Sequence, residues 1–178
     1  MKFYKVLGKG GGPCNGGSGK WHLPKNGKPG GWMPKIKDIV PCKRGYHLCR
    51  SEDLIQWLNV EIYEAEGRGK SIRDKDKDVF EQAQLIRKIE SWNEKTARLF
   101  AADCAEHVLP IFEKTFPDDK RPREAIQAAR DFANGKISVA AWAAARAAAR
   151  AAGAAAGAAE KKWQAKRLFF YLDLGIKE

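Results

Sequence analysis

The first half of the chain contains short runs in which apolar and polar residues alternate, a spacing typical of strands. We predict strands in "MKFYKVLG", "YHLC", "VEIYEAE" and "VFEQAQLI". After the second run, Ser51 is expected to cap a short helix through "SEDLIQWL". The charged sequence "GRGKSIRDKDKD" is expected to form a turn. Strands that alternate with one small helix indicate an α+β module ending near residue 88.

The second half of the chain has the apolar spacing of helices. In the first predicted helix, Ser91 and Glu94 form a capping-box pattern, and Pro110 is expected to kink or divide the helix. The apolar residues of that helix recur every three or four positions: Leu99, Ala102, Ala105, Leu109 and Phe112. A second helix is predicted in "RPREAIQAARDFANG", with Pro122 in the first turn and Gly135 at the C-terminal end.

A third helix is predicted from Ser138 to about Leu174 and includes an alanine-rich tract. One stripe of this helix has bulky residues at both ends and methyl groups between them: Trp142, Ala149, Ala156, Trp163 and Phe170. The fold class is therefore α+β, with a small strand-rich module packed on a helical unit. We place the division at residues 1–88 and 89–178 and expect both parts to share one compact body.

Between the first and second strands, residues 8–41 form a long loop rich in glycine and proline. Loops of roughly thirty residues are uncommon unless they have a function, so this one either contains short strands around Trp21 and Trp32 or binds a partner. It is not a nucleotide-binding phosphate loop. Counting back from Gly19-Lys20, the first required glycine is replaced by Cys14, and Trp21 occupies the hydroxyl position.

The charge of the chain is concentrated at its N-terminal end. The whole sequence has a formal net charge of +11, and residues 1–50 alone contain eleven Lys and Arg against one acidic residue, Asp38, which gives +10. Such segregation indicates an acidic partner: nucleic acid, an anionic protein or a phosphorylated ligand. The alternative is a lysine-rich surface that only keeps the protein in solution.

Several classes of protein are not supported by the sequence. The alanine-rich tract is interrupted by Arg146 and Arg150, so we expect no membrane span, and the absence of a leader pattern places the protein in the cytoplasm. In that compartment the four cysteines are expected to be reduced thiols. Cys14, His22, Cys42 and Cys49 lack the close spacing of a zinc site, so we expect no metal and no cofactor.

Aromatic and basic residues alternate along the long loop, which suggests a partner-binding surface. We expect partner binding at Lys20, Trp21, Lys28, Trp32, Lys35, Arg44 and His47. Gly10–Gly19 are expected to form a mobile lobe that lets the first five of these residues close over an extended anionic partner. Strand alternation puts His47 and Cys49 on one face and Leu48 on the other, so His47 points towards the basic loop if Leu48 faces the core. The same tryptophans could instead form the core of the module.

Two stretches resemble known families. "CKRGYHLCRSEDLIQWLNVEIYEAEGRG" followed by "KDVFEQAQLI" resembles an uncharacterised domain of phage and bacterial proteins that has a Gly-aromatic-His-x-Cys strand. "ARLFAADCAEHVLPIFEKTFPDDKRPREAIQAARDFANG" with the alanine tract is similar to the putative immunity protein family of bacterial toxin systems. These resemblances imply a role in bacterial or phage conflict and transfer no catalytic residues.

A likeness in shape alone connects the first half with ADP-ribosyltransferase-like folds, in which Glu81 would stand for a late catalytic glutamate. The sequence has no nucleophile and base pair and no cofactor loop. We therefore expect a non-enzymatic binding or inhibitor protein of a conflict system, whose basic N-terminal surface masks an acidic protein or nucleic acid. The alternatives are a protein that binds single-stranded nucleic acid and a transferase-like enzyme. The oligomeric state stays open.

Overall fold

A computed structural model describes residues 2–138 and 158–172. The chain divides into two compact units, Met1–Trp92 and Asn93–Glu178. We call them the strand unit and the helical unit. The first is built on antiparallel strands and the second on helices, so the α+β fold class expected from the sequence is confirmed.

The strand unit is a small closed barrel of four antiparallel strands: β1 (Phe3–Leu7), β2 (Tyr46–Arg50), β3 (Glu61–Arg73) and β4 (Asp78–Lys88). Around the barrel the order is β1-β2-β4-β3, and β3 closes it by pairing with β1. All four strands lie where the alternating runs predict them. Closure removes most of the free edges that an open four-stranded sheet would expose.

Two local predictions in this unit are wrong. The sequence "GRGKSIR" continues β3 as far as Arg73, so the expected charged turn shrinks to residues 74–77. Register shifts at Glu64/Ala65 and Arg68/Ser71 absorb the irregular positions and keep the strand paired with β4. The segment Ser51–Gln56 forms a 3₁₀ helix, and the side chain of Ser51 does not cap it, because the capping position is occupied by Arg50.

The interior of the strand unit is a cluster of apolar side chains that β1 to β4 contribute jointly. Its buried members are Leu7, Leu48, Tyr63, Ala65, Phe80, Ala83 and Leu85, with Phe3, Trp21 and Tyr46 packed against them. Trp21 therefore belongs partly to the core, as one of the two interpretations of the loop tryptophans expects. The contribution of a loop residue to this cluster fixes the loop against the barrel.

The long loop follows β4 where β2 no longer pairs with that strand. β2 pairs with β4 only as far as Phe80. Beyond that point the amides of Gly30, Met33 and Ile36 donate to the carbonyls of alternate β4 residues, each at 2.9 Å. The loop thus covers the remaining edge of β4, although no strand forms around Trp21 or Trp32 among the described residues.

Gly30 is required for this path. A Cβ atom at that position would lie 1.8 Å from the carbonyl oxygen of His22, a separation that no side chain allows. The loop therefore crosses itself at Gly30 in direct backbone contact, and the basic residues on either side of the crossing are held at fixed places.

A buried arginine connects β2 with the turn between β3 and β4. Arg50 is only 3% exposed. Its guanidinium donates to the carbonyls of Asp74, Lys75 and Lys77 and forms ion pairs with Asp53 and Asp78. Burial lowers the pKa of the guanidinium, but hydrogen bonds from it to Asp78 and Asp53 outweigh this and raise the pKa above its usual value. Arg50 therefore stays charged and determines the position of residues 74–77.

We predict that Arg50→Met destabilises the strand unit by about 3 to 5 kcal/mol, because it leaves two partly buried carboxylates without their cation. In the full-length protein, amide hydrogen exchange in β2 and β4 should accelerate by about a hundredfold or more. The control is Arg44→Met, which removes an exposed arginine from the neighbouring loop. Equal exchange rates in the two variants would contradict the structural role of Arg50.

The helical unit contains α1 (Glu94–Thr115), α2 (Arg121–Ala133) and α3 (Ala158–Tyr171). Ser91 does not cap α1. Asn93 occupies that position, its side chain accepts from the amides of Lys95 and Thr96, and the Thr96 hydroxyl completes the capping box. Pro110 lies inside α1 without dividing it. Pro122 occupies the first turn of α2 as predicted.

The predicted third helix is described only in part. Its residues 158–171 are helical, whereas Trp142, Ala149 and Ala156 lie outside the described residues. Within the described ranges no helix combines the length and the apolar character that crossing a membrane requires.

A buried carboxylate links the three helices. Asp103 of α1 is 5% exposed and forms ion pairs with Arg130 of α2 and Arg167 of α3, both at 2.7 Å. The hydroxyl of Tyr171 donates to the same carboxylate at 2.6 Å. Burial raises the pKa of Asp103, but the hydrogen bonds from Tyr171, Arg167 and Arg130 outweigh it and hold the pKa below the usual value. Asp103 is therefore ionised in the folded protein at neutral pH.

We predict that Asp103→Asn lowers the free energy of unfolding of the helical unit by about 3 kcal/mol at pH 7. Because the pKa of Asp103 is lower in the folded state, its contribution is present above pH about 4 and is lost as the pH falls through the folded-state pKa. The urea midpoint of the far-ultraviolet circular dichroism signal should differ between wild type and variant at pH 7 and converge towards pH 2. Asp118→Asn, at an exposed position, serves as the control. A pH-independent difference would contradict the prediction.

Candidate functional site

The strand unit contains a cavity of about 520 Å³ between the barrel and the long loop. Its walls come from four regions: β1, the loop between β1 and β2, β2 with the segment that follows it as far as Trp57, and Lys77 in the turn between β3 and β4. The basic and titratable residues of the lining are Lys5, Cys14, Lys20, Cys42, Lys43, Arg44, His47, Cys49 and Lys77. The lining includes no Asp and no Glu.

Lys5 is the most unusual of these residues. It lies between Phe3 and Leu7 on one face of β1, and both of those residues contribute to the apolar cluster. Its ammonium donates to the carbonyl of His47 at 3.2 Å and lies 5.2 Å from the centre of the Trp21 ring. Burial lowers the pKa of Lys5. A cation in this place has one hydrogen bond and forms no ion pair with any described residue.

His47 lies on β2 opposite the loop. Its Nε2 accepts a hydrogen bond from the backbone amide of Cys42 at 2.9 Å, so this nitrogen holds no proton. Burial lowers the pKa of His47, and the nearby charges of Lys5 and Lys77 lower it further. The ring is therefore neutral at pH 7. It supports the Cys42 turn and is not a second positive charge in the cavity.

Two of the three cysteines that line the cavity, Cys14 and Cys49, have thiols that are poor nucleophiles. Burial raises the pKa of Cys49 to about 12, although the charge of Lys5 opposes this, and burial also raises the pKa of Cys14. The Cys14 thiol donates to the carbonyl of Val6 at 3.6 Å. No three His, Cys, Asp or Glu residues within the described part of the chain form a group that could hold a metal ion.

One wall of the cavity is formed by Trp57 and Lys77, the last two lining residues in chain order. The ammonium of Lys77 lies 2.8 Å from a carboxylate oxygen of Asp76 and 3.3 Å from one of Asp74, so its charge is balanced within the protein. It also lies 5.0 Å from the centre of the Trp57 ring. The indole nitrogen of Trp57 is buried, and no acceptor among the described residues reaches it.

The seven residues expected to bind a partner are divided by the structure. Lys20, Trp21, Arg44 and His47 line the cavity, whereas Lys28, Trp32 and Lys35 do not. The side chains of Lys20, Lys28, Lys35 and Arg44 are exposed. Trp21 makes an edge-to-face contact with Tyr46 at 5.5 Å between ring centres. The expected surface therefore has one part around the cavity and another along β4.

The part along β4 is already engaged in contacts within the protein. The guanidinium of Arg68 lies 3.9 Å above the ring of Trp32. Lys35 forms an ion pair with Glu81 at 3.0 Å, and Glu81 also accepts from the amide of Lys70. The hydrogen bonds from Lys35 and Lys70 hold the pKa of Glu81 below its usual value. Glu81 is thus a paired carboxylate that does not line the cavity.

Sequence reasoning missed Lys5 and Trp57 as candidate site residues. Lys5 could have been found, because a lysine between two apolar residues on one face of a strand is a charge placed among core positions. Trp57 has no such signal. Its place in the cavity depends on the turn at residues 74–77, which the sequence does not predict to lie beside it.

We predict that Cys42 reacts with iodoacetamide at pH 8 at least a hundredfold faster than Cys49. Cys42 is exposed and Cys49 is buried, so iodoacetamide reaches the sulfur of Cys42 more readily. A thiol with a pKa of about 12 is thiolate in only about one molecule in ten thousand. Peptide mass spectrometry over time gives both rates, and the urea-denatured chain, in which both should react alike, is the control. Equal rates in the native protein would contradict the buried, protonated state of Cys49.

The comparisons with known proteins concern the helical unit. A barrel with a basic loop, followed in the chain by helices that share a buried carboxylate, defines an α+β protein with a cavity in its strand unit. The family model described as "Imm-5 like putative immunity protein" matches residues 87–171. The second half of the chain is therefore similar to immunity proteins, as the sequence resemblance indicates. No curated protein and no solved structure matches the chain. The resemblance of the first half to a phage and bacterial domain stays an expectation.

Proposed function

We propose that this chain is an immunity-like protein of a bacterial or phage conflict system that binds and masks an acidic protein. The family match at residues 87–171 supports the immunity-like role. The proposed contact is the group of exposed cations between β1 and β2 that form no ion pair with described residues. We call this group the basic surface: Lys9, Lys20, Lys25, Lys28, Lys37, Lys43 and Arg44.

The proposal rests on which cations of residues 1–50 form ion pairs within the protein and which remain unpaired at its surface. Of the eleven cations in residues 1–50, Arg50 is buried among carboxylates and Lys5 is partly buried. The other nine are exposed, and two of them, Lys2 and Lys35, are paired with glutamates. A positive field therefore remains on the loop, and such a field accelerates encounter with an acidic partner and selects against basic ones.

The basic surface rests on a loop that hydrogen bonds hold in place. The amides of Gly30 and Ile36 donate to β4, and the side-chain amides of Gln82 and Gln84 donate back to the carbonyls of Met33 and Gly30. Side chains on an ordered loop lose less conformational entropy on binding than those on a flexible one. This order favours recognition of a folded acidic surface.

Contacts within the protein make the other candidate functions less suitable. An extended single strand would need several free ring faces along the loop, but Arg68 lies over Trp32, and Lys5 lies over one face of Trp21. A transferase would need a carboxylate in the cavity, whereas Glu81 is paired with Lys35 and does not line it. Masking of an acidic protein uses the exposed charges directly and needs neither feature.

We predict that Lys20→Glu combined with Lys28→Glu weakens partner binding by about tenfold or more, because charge reversal replaces attraction with repulsion. The partner is purified after capture on the wild-type protein from the native host, and its Kd is measured by isothermal titration calorimetry at two salt concentrations. The matched control is Lys95→Glu with Lys114→Glu, two exposed lysines of α1. The control should leave the Kd within about twofold of the wild type.

Unchanged affinity of the charge-reversed loop variant would mean that the basic surface only solubilises the protein. A 20-nucleotide single strand is titrated in parallel. Binding of that strand tighter than about 10⁻⁶ M, with an affinity that falls linearly on a logarithmic salt scale, would favour the nucleic acid alternative. For an acidic protein partner, the strand should bind no tighter than the non-specific range of about 10⁻⁴ to 10⁻⁶ M.

A further inference from the structure

We propose that the cavity of the strand unit binds a nucleoside phosphate, with the phosphate groups at its lysines and arginine and the base against its aromatic wall. This inference goes beyond the proposed function and does not rest on it. Lys20, Lys43 and Arg44 belong to both the basic surface and the lining, whereas Lys5 and the aromatic wall belong to the cavity alone. Lys28, one of the two residues reversed in the partner test, does not line the cavity.

The charge of the lining requires an anion. Lys77 is balanced by Asp74 and Asp76, and His47 is neutral at pH 7, so neither adds free positive charge. Lys5, Lys20, Lys43 and Arg44 form no ion pair with described residues, and the lining contains no carboxylate. Four cations around one cavity repel each other, and a ligand with two or more negative charges removes that repulsion.

Lys5 gives the strongest indication within this group. A lysine buried among apolar residues is unfavourable unless its charge is compensated. The ammonium of Lys5 donates to the carbonyl of His47 and has two further N–H groups. A phosphate oxygen in the cavity would accept from one of them and supply the missing negative charge. Lys5 is thus a cation whose ionic partner is expected to be the ligand.

The size and the remaining walls indicate more than an inorganic anion. A volume of about 520 Å³ lies within the range of about 300 to 1,000 Å³ that small-molecule sites occupy. Trp21, Tyr46 and Trp57 provide aromatic surface, and Met33 and Ile36 add aliphatic surface. Trp57 adds its ring to the lining, and the ammonium of Lys77 lies 5.0 Å from the centre of that ring. Flat, partly polar rings such as nucleobases fit this combination.

The glycine-rich part of the lining permits close approach of a phosphate to the backbone. Gly16, Gly17 and Gly19 have positive φ angles of 78°, 89° and 88°, which residues other than glycine rarely adopt. A Cβ atom at any of them would meet nothing within 4 Å, so packing inside the protein does not require glycine there. Turns of this kind expose backbone N–H groups, which bind anions. The phosphate-loop motif is absent, so side-chain cations supply most of the charge.

The test measures binding of the four common nucleoside diphosphates to the full-length protein by calorimetry and by thermal unfolding. We expect at least one of them to bind with a micromolar Kd and to raise the unfolding temperature. Inorganic pyrophosphate should bind at least about tenfold more weakly, and the corresponding nucleoside should not bind, because each lacks one part of the recognised ligand.

Two variants connect binding to the cavity. Lys5→Met should weaken binding by about tenfold or more, since it removes a charge-assisted hydrogen bond, and should leave the unfolding temperature of the free protein unchanged or raised. Trp57→Phe removes one ring of the aromatic wall and should weaken binding by about threefold to tenfold. The control is Lys25→Met, which changes an exposed loop lysine that does not line the cavity.

Four outcomes would overturn the proposal. These are the absence of binding by all four diphosphates, equal binding of pyrophosphate, full binding by Lys5→Met, and tighter binding of a 5′-phosphorylated oligonucleotide than of any diphosphate. The last outcome would assign the cavity to the end of a nucleic acid strand. A lower unfolding temperature of Lys5→Met with unchanged affinity would show that Lys5 only supports the backbone of His47. The partner test shares Lys20 with the cavity, so Lys25→Glu combined with Lys28→Glu, which leaves the lining intact, separates the two proposals.

Discussion

The buried guanidinium of Arg50 is the interaction on which the geometry of the strand unit depends. It lies at the end of β2 and holds the carbonyls of the 74–77 turn together with the carboxylates of Asp53 and Asp78. That turn carries Lys77, which lies over the ring of Trp57. Arg50 therefore determines the position of the wall formed by Lys77 and Trp57, although its own charge is balanced by Asp53 and Asp78. Without Arg50, the β3–β4 turn would have no partner on β2 at this position.

The other cations of the strand unit also divide into those that form ion pairs within the protein and those that form none with described residues. Arg50, Lys77 and Lys35 are each paired with carboxylates, so they act as structural links within the barrel and its loops. The remaining loop cations and Lys5 have no such partners among the described residues. The formal charge of residues 1–50 is thus larger than the free charge at the surface, because some of these cations form ion pairs within the protein and Lys5 is partly buried.

The sequence predicts the elements well and their contacts poorly, for physical reasons. Periodicity depends on side chains a few residues apart, so the four strands and the first two helices could be placed. The end of β3, the Asn93 cap and the 3₁₀ segment depend on competition between neighbouring residues, which periodicity does not resolve. The loop along β4 is held mainly by backbone amides, which every sequence has. Lys5, His47 and Trp57 meet only after the barrel closes, so their cavity has no local signal.

The two units support different parts of the functional argument. The family match begins at residue 87 and ends at residue 171, and Tyr171 is the last residue of the Asp103 network. The matched region thus includes the helices that Asp103 connects. The basic surface and the cavity both lie outside the match. The resemblance to immunity proteins therefore belongs to the helical unit, while the charge pattern on which the binding proposals rest belongs to the strand unit.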